Sequence, residues 1–301
     1  MELIKVGEKT YYIKNPTNIG IYKIDEENIV YWMAFQILMG NVDTQNRNVY
    51  LYSPLNSDIW YFIAWDNDGC LMRPEYELRN FSDQNSWEKG ISNYWGNILF
   101  QRCLKSRSFR EKLNDAILDL REYLNKDMLT SKIESYKNVL KPYLYLMPDA
   151  EYEPLTSEQY DQIAASLPDE IEKNYQLYLE SLETPMPFYI GVPTIDGDKL
   201  KFNWDVSYDL DAEDITYSVE VAGDYLFRDV IYQNTTLTVP EAEMDLPKAG
   251  QYFVRVRATN TSGKTQDAFD YYVTDEGKYY GMRCFYITED STVEEDDYEE
   301  G

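Results

Sequence analysis

The sequence predicts an α+β chain: a mostly helical first part containing one β-hairpin, followed by an all-β sandwich. Three observations predict it. Apolar residues recur at three- and four-residue spacing up to about residue 182. From residue 200 onward they alternate with period two instead. Between the two regimes lies ETPMPFYIGVP, residues 183–193, a Pro-rich aperiodic stretch that reads as a linker or an entering edge strand. At 301 residues, 44% apolar and 27% charged, the chain is globular in composition and long enough for two domains.

The elements follow in chain order. Asp25, Glu26, Glu27 and Asn28 read as a helix start, and Ile29 to Met39 is apolar almost all round, as a helix buried in a core should be. Two β-rich runs, 48–53 and 59–65, flank the turn residues Pro54 to Asp58 and predict a hairpin. Helical spacing returns through Ile91, Trp95, Leu99 and Cys103, and again through Phe109, Leu113, Ile117, Leu120 and Leu124. A further helix is expected from Met128 through Ile133, Tyr136 and Leu140 to an end near Pro142. The last runs from Ser157 to Leu182, interrupted or restarted at Pro168. Strands are expected at 200–204, 215–221 and 252–258, separated by turn clusters at 209–214 and 260–263. Glu289 to Gly301 is dominated by Glu and Asp and reads as a disordered tail.

Composition removes whole classes of chemistry. There is no His, so no Ser-His-Asp or Cys-His pair can form and no zinc can be held by imidazole. Cys70, Cys103 and Cys284 are odd in number and far apart, which excludes a disulfide framework. A net charge of −26 argues against nucleic acid or an anionic membrane as partner. No apolar stretch approaches the roughly 20 residues of a membrane helix, and MELIKVGEKT has no apolar segment of the secretory kind. Catalysis, if present, runs on carboxylates, amides, Lys, Arg or Tyr.

The informative stretch is GNVDTQNRNVYLY (40–52) followed by WYFIAWDNDG (60–69). An Asp follows a buried helix, an Asn stands five positions later, and a hairpin ends in a second Asp. Phosphotransferases use that layout, since protein kinases space a catalytic Asp and a metal-binding Asn as D-x₄-N. One carboxylate positions or deprotonates the attacking hydroxyl. An Asn oxygen and a second carboxylate hold Mg²⁺ against the phosphates. Asp43 and Asn48 fit the first spacing, and Asp66 or Asp68 the second role. Asn46 is a rival to Asn48, and Trp65 reads as a packing residue.

With G-N-x-D before the Asn and W-D-x-D-G after it, residues 22–150 resemble the CotH family of spore-coat, kinase-like proteins. The segments FREKL (109–113) and Pro142 to Asp149 are similar to that family as well. The resemblance implies a kinase-like C-lobe that uses Mg²⁺ or Mn²⁺ with ATP to phosphorylate protein Ser or Thr. By it, Asp43 is the catalytic aspartate, Asn48 and Asp66 bind metal and cofactor, and Asp68 is a further metal ligand or a turn residue. Only 42 residues precede Asp43, where a kinase N-lobe takes roughly 80 to 100. Their glycines, Gly7, Gly20 and Gly40, form no G-x-G-x-x-G. The segment 11–16 resembles one the family places after its N-lobe, the helical stretch after it is expected to be shortened to 17–24, and Lys14 is not carried over as a nucleotide lysine. The chain therefore reads as lacking an N-lobe, and as incomplete or inactive by itself.

Residues 186–287 resemble a fibronectin type III, immunoglobulin-like sandwich. Trp204 stands where that family places its early core tryptophan. Leu246, Tyr252, Val254, Val256, Ala258 and Asn260 match its L-x₅-Y-x-V-x-V-x-A-x-N pattern, in which the tyrosine hydroxyl bonds back to the preceding turn. Asp205, Asp209, Asp211, Glu213 and Asp214 form an acidic turn, either a solvated loop or a gathering of oxygens for Ca²⁺. The domains expected are 1–183 (kinase-like), 186–287 (sandwich) and 288–301 (tail). Beside the kinase stand two other readings: a non-catalytic coat or cell-surface interaction protein, and a cell-wall carbohydrate binder suggested by 29 Tyr and 6 Trp. Family and sandwich together imply protein partners and a spore or extracellular surface.

Overall fold

A computed structural model of the protein describes residues 2–6, 9–13, 23–45, 47–71, 87–153, 155–275 and 277–295. Asn46, Lys14, most of the 17–24 stretch and the end of the acidic tail lie outside them. The chain forms two compact units, 1–72 with 102–178 and 73–101 with 179–301.

In the first unit β1 (Glu2–Val6) pairs with β2 (Lys9–Ile13), and β3 (Lys23–Ile24) precedes α1 (Glu26–Leu38). The expected buried helix is present. Asp25 caps it by accepting from the Asn28 amide at 2.8 Å, and Glu26 and Glu27 lie where the helix dipole favours negative charge. Gly40 ends it at φ +62, a left-handed conformation, and Asn174 Nδ2 donates to the Leu38 carbonyl at 2.9 Å. The expected hairpin is also present. β4 (Tyr50–Tyr52) runs antiparallel to β5 (Ile59–Ile63), with Leu51 opposite Phe62, while β3 joins the far edge of β5 in parallel. Asn28 grips the middle of β5 through both backbone groups of Phe62, its Oδ1 accepting at 2.6 Å and its Nδ2 donating at 3.2 Å.

The helices depart from expectation in detail. A 3₁₀ turn at Ser92–Tyr94 and a separate α2 (Ile98–Lys105) replace one helix over 91–103, because Gly96 and its flanking turn break it. α3 (Arg107–Tyr123) packs on α1 through Phe109, Leu113, Ala116 and Ile117. α4 (Lys126–Leu144) ends just after Pro142, near its expected end, whereas α5 (Ser157–Glu183) continues through Pro168 without interruption. Only Leu129 of α4 is buried, so Tyr136, Val139, Leu140 and Tyr143 form an exposed stripe rather than core.

The second unit is built from antiparallel strands. β6 (Thr194–Asp196), β7 (Lys199–Asn203) and β10 (Glu241–Asp245) make one sheet in the order β10-β7-β6. β8 (Ile215–Ala222), β9 (Val230–Leu237), β11 (Gly250–Asn260), β12 (Thr265–Asp267), β15 (Met282–Ile287) and β16 (Val293–Glu295) make the other. β13 (Tyr271–Thr274) and β14 (Gly277–Tyr280) form a small hairpin. Leu200 and Phe202 of the first sheet share one core with Tyr217, Val219, Val254, Val256 and Phe285 of the second. Trp204 is buried edge-on to Tyr217, and the Tyr252 hydroxyl donates to the Lys248 carbonyl at 2.9 Å. Part of the expected tail is ordered, since β16 pairs with β15 and sets Val293 opposite Ile287. Residues 185–193 contribute one isolated bridge, Ile190 with Trp204, and no strand.

In the acidic turn two of the five carboxylates, Asp209 and Glu213, accept protein hydrogen bonds, while Asp205, Asp211 and Asp214 are exposed. Asp209 accepts from the Asp211 and Glu213 amides and from Asn260 Nδ2, and Glu213 accepts from Ser262. The Asp209 to Asp211 bond is an Asx turn, and the bonds with Asn260 and Ser262 tie the turn to the end of β11.

Candidate active site

The candidate residues lie on two loops that leave α1 and β5. After Gly40, Asn41 caps a single 3₁₀ turn, Val42–Thr44, by accepting from the Asp43 amide at 3.3 Å, and the Asp43 side chain is exposed. After β5 the chain runs through Trp65 to Asp66 at φ +50, and turns at Asp68 and Gly69. The Leu71 amide then donates to the Met39 carbonyl at 2.7 Å, closing the second loop onto the first. Asn48, Asp66 and Leu71 all have positive φ, a conformation that costs a non-glycine residue about 1 kcal/mol or more and concentrates at functional sites.

The two loops touch. A β-carbon added to Gly69 would stand 3.0 Å from Asp43 Oδ2 and 3.1 Å from Asn41 Oδ1, so the glycine lets the backbone approach the carboxylate. The Asp66 carboxyl is held above its usual range, first by the negative charge of Asp68, then by lost hydration, a hydrogen bond with Asp68 and the charge of Asp43. Asp43, Asp66 and Asp68 thus feel one another. Asn48 is half-buried at the start of the hairpin, and no hydrogen bond described here joins its amide to those carboxylates.

A hard divalent cation takes oxygen donors and relieves carboxylate repulsion, so Asp66 with Asp68 suits Mg²⁺ or Mn²⁺ in chemistry. Among the described residues no three His, Cys, Asp or Glu side chains are already gathered for a metal. Trp65, expected to pack, is instead 53% exposed with its ring 5.1 Å from Tyr50. Alternation within β5 turns Phe62 inward onto Trp32 and leaves Ile63 outside, and Trp65 lies in the exposed stretch that follows the strand. Cys70, beside the site, is half-buried, and its thiol is pushed up to about 11 by burial.

Sequence reasoning missed the residues beneath the carboxylates. Gln36 and Asn41 are buried and bond to each other and to Asn67. One signal was legible: Gln36 is the lone amide within the apolar run IVYWMAFQIL.

A helix and a strand thus deliver two acidic loops that approach each other at Gly69 and Asp43. The family model described as CotH kinase protein matches residues 4–178, more than half of the chain, and the chain belongs to that family. No curated protein matches it. No helix among the described residues is long and apolar enough to cross a membrane.

Proposed function

We propose that the first unit is a kinase-like domain whose chemistry is transfer of the ATP γ-phosphate to a protein Ser or Thr. The observation that carries this reading is the approach of Asp43 to the 66–69 loop, seen in the Gly69 contact and in the charge felt by Asp66. Asp43, exposed on its turn, would accept the proton of the attacking hydroxyl. Asp66, with Asp68 and Asn48, would hold Mg²⁺ or Mn²⁺, which when bound neutralises charge on the phosphates. In-line transfer depends on positioning, so the placement of these groups matters more than their intrinsic reactivity.

The second unit we read as a fibronectin type III-like module. Its strand orders and the Tyr252 to Lys248 bond support that reading. Its function would be contact with coat or cell-surface proteins at a spore or extracellular surface.

The test is titration of the chain with Mn²⁺ and ATP, followed by phosphate transfer. Asp66→Ala should weaken Mn²⁺ binding about tenfold or more, and Asp43→Asn should abolish any transfer while leaving Mn²⁺ bound. Equal Mn²⁺ affinity in Asp66→Ala and the unsubstituted chain removes the reading. Metal binding with no transfer, even to added protein substrates, would favour the non-catalytic interaction protein.

A further inference from the structure

The carboxylates of the proposed site sit on two loops with few backbone bonds between them, so something else must hold their spacing. α1 lies under both loops. Its first turn grips β5 through Asn28 and Phe62. Its last turn carries Gln36, fully buried in an otherwise apolar surface. Gln36 Nε2 donates to Asn67 Oδ1 at 3.1 Å, and Gln36 Oε1 accepts from Asn41 Nδ2 at 3.0 Å. Asn41 Nδ2 also reaches Asn67 Oδ1 at 3.3 Å, which closes a triangle of three amides. Asn41 Oδ1 accepts from the Asp43 amide, and Asn67 is the neighbour of both Asp66 and Asp68.

A buried amide without its partners costs roughly 1–3 kcal/mol, so opening one side of the triangle is unfavourable at all three corners. Amides do not titrate, so the triangle holds equally whether the carboxylates above it are charged, protonated or metal-bound. An apolar residue at position 36 would fill the space and fix nothing.

We infer that Gln36, Asn41 and Asn67 are positioning residues: their amide triangle sets the distance between Asp43 and the Asp66–Asp68 loop. The inference rests on the phosphotransfer reading for its purpose, while the geometry stands by itself.

The experiment compares Asn67→Ala, which removes the shared acceptor without disturbing α1 packing, with Asn67→Asp, which keeps an acceptor oxygen there. Gln36→Met opens the triangle from the helix side. Amide hydrogen exchange is followed in segments 41–45 and 66–71 of the full chain, and Mn²⁺ affinity by electron paramagnetic resonance. Asn67→Ala and Gln36→Met should each speed exchange about tenfold in both segments, leave α3 unchanged, and weaken Mn²⁺ by a similar factor. Asn67→Asp should restore slow exchange. Faster exchange confined to the loop that carries the substitution, or no restoration by Asp, overturns the inference. Coupled loosening in a chain that binds no Mn²⁺ keeps the triangle and removes the metal–phosphate reading. Undiminished Mn²⁺ affinity in Asn67→Ala does the reverse.

Discussion

The two units place their polar groups in opposite ways. The sheet unit buries carboxylates and pairs them with arginines: Asp267 with Arg257 at 2.8 Å, and Asp270 with Arg283 at 3.0 Å. The helical unit leaves Asp43, Asp66 and Asp68 exposed and buries neutral amides beneath them. A buried ion pair pins strands but makes its charge unavailable, whereas a buried amide can hold a loop whose carboxylates stay open to a cation. Charge spent on architecture and charge left open to solvent are thereby separated along the chain.

The comparison can be broken most forcefully in the sheet unit. Asp270 Oδ2 accepts from the Ile190 amide at 2.7 Å while Oδ1 holds Arg283. Asp270→Ala strips both, leaving a buried amide unsatisfied and, among the described residues, Arg283 with Glu295 at 3.0 Å. The expected loss is about 3 kcal/mol, read as a lower urea midpoint with unit-resolved hydrogen exchange. A loss below about 1 kcal/mol would mean the pair is not what pins these strands.

A smaller effect is expected in the helical unit, at the turn that launches the Asp43 loop. Gly40 sits at φ +62, and a β-carbon there would stand 2.6 Å from Asn174 Nδ2. Gly40→Ala should cost about 2 kcal/mol, from the left-handed backbone and from displacing the amide that caps Leu38. The loss should be confined to exchange in α1, α3 and their neighbours. If Ala is neutral here, the turn is softer than its φ implies.

How much of this was legible depends on the kind of interaction. The buried helix was visible because Ile29 to Met39 leaves no polar face, and the hairpin because two β-branched and aromatic runs flank Pro54. Asp43, Asn48, Asp66 and Asp68 were visible as spacing, though spacing could not say that Gly69 would bring Asp43 against their loop. The amide triangle was hidden, because it joins residues 31 apart whose partners are decided only by tertiary packing. Pro168 misled for a related reason. A proline can lie within a helix when packing compensates the lost bond, and no local pattern reports that.

The smallest expected effect sharpens the contrast through pH. Burial pushes the Asp267 and Asp270 carboxyls above their usual range despite Arg257 and Arg283, with Arg255 and Lys89 also facing Asp267. A carboxyl whose value is raised on folding binds its proton more tightly in the folded state. Its contribution to stability is therefore fully present below the unfolded value of about 3.9 and is lost as pH rises through the folded value. In the helical unit Asp161 is lowered, chiefly by its bond with Lys141, and Glu172 by Gln176 and Arg121. Those two contribute stability above the unfolded range that is lost as pH falls, and both are exposed enough for salt to screen them. On acidification from neutral pH toward about 4, Asp267 and Asp270 should therefore add stability to the sheet unit, against losses at its exposed Asp196, Asp224 and Asp245. Asp161 and Glu172 add none to the helical unit, where Asp66 beside Asp68 is the raised carboxyl. Unit-resolved hydrogen exchange between those limits measures the difference. Asp270→Asn, which keeps an acceptor for the Ile190 amide but cannot titrate, should remove part of the acid gain in the sheet unit and leave the helical unit's profile unchanged. An unaltered profile in that variant would mean that Arg283 keeps Asp270 ionised throughout, with charge pairing outweighing burial at that position.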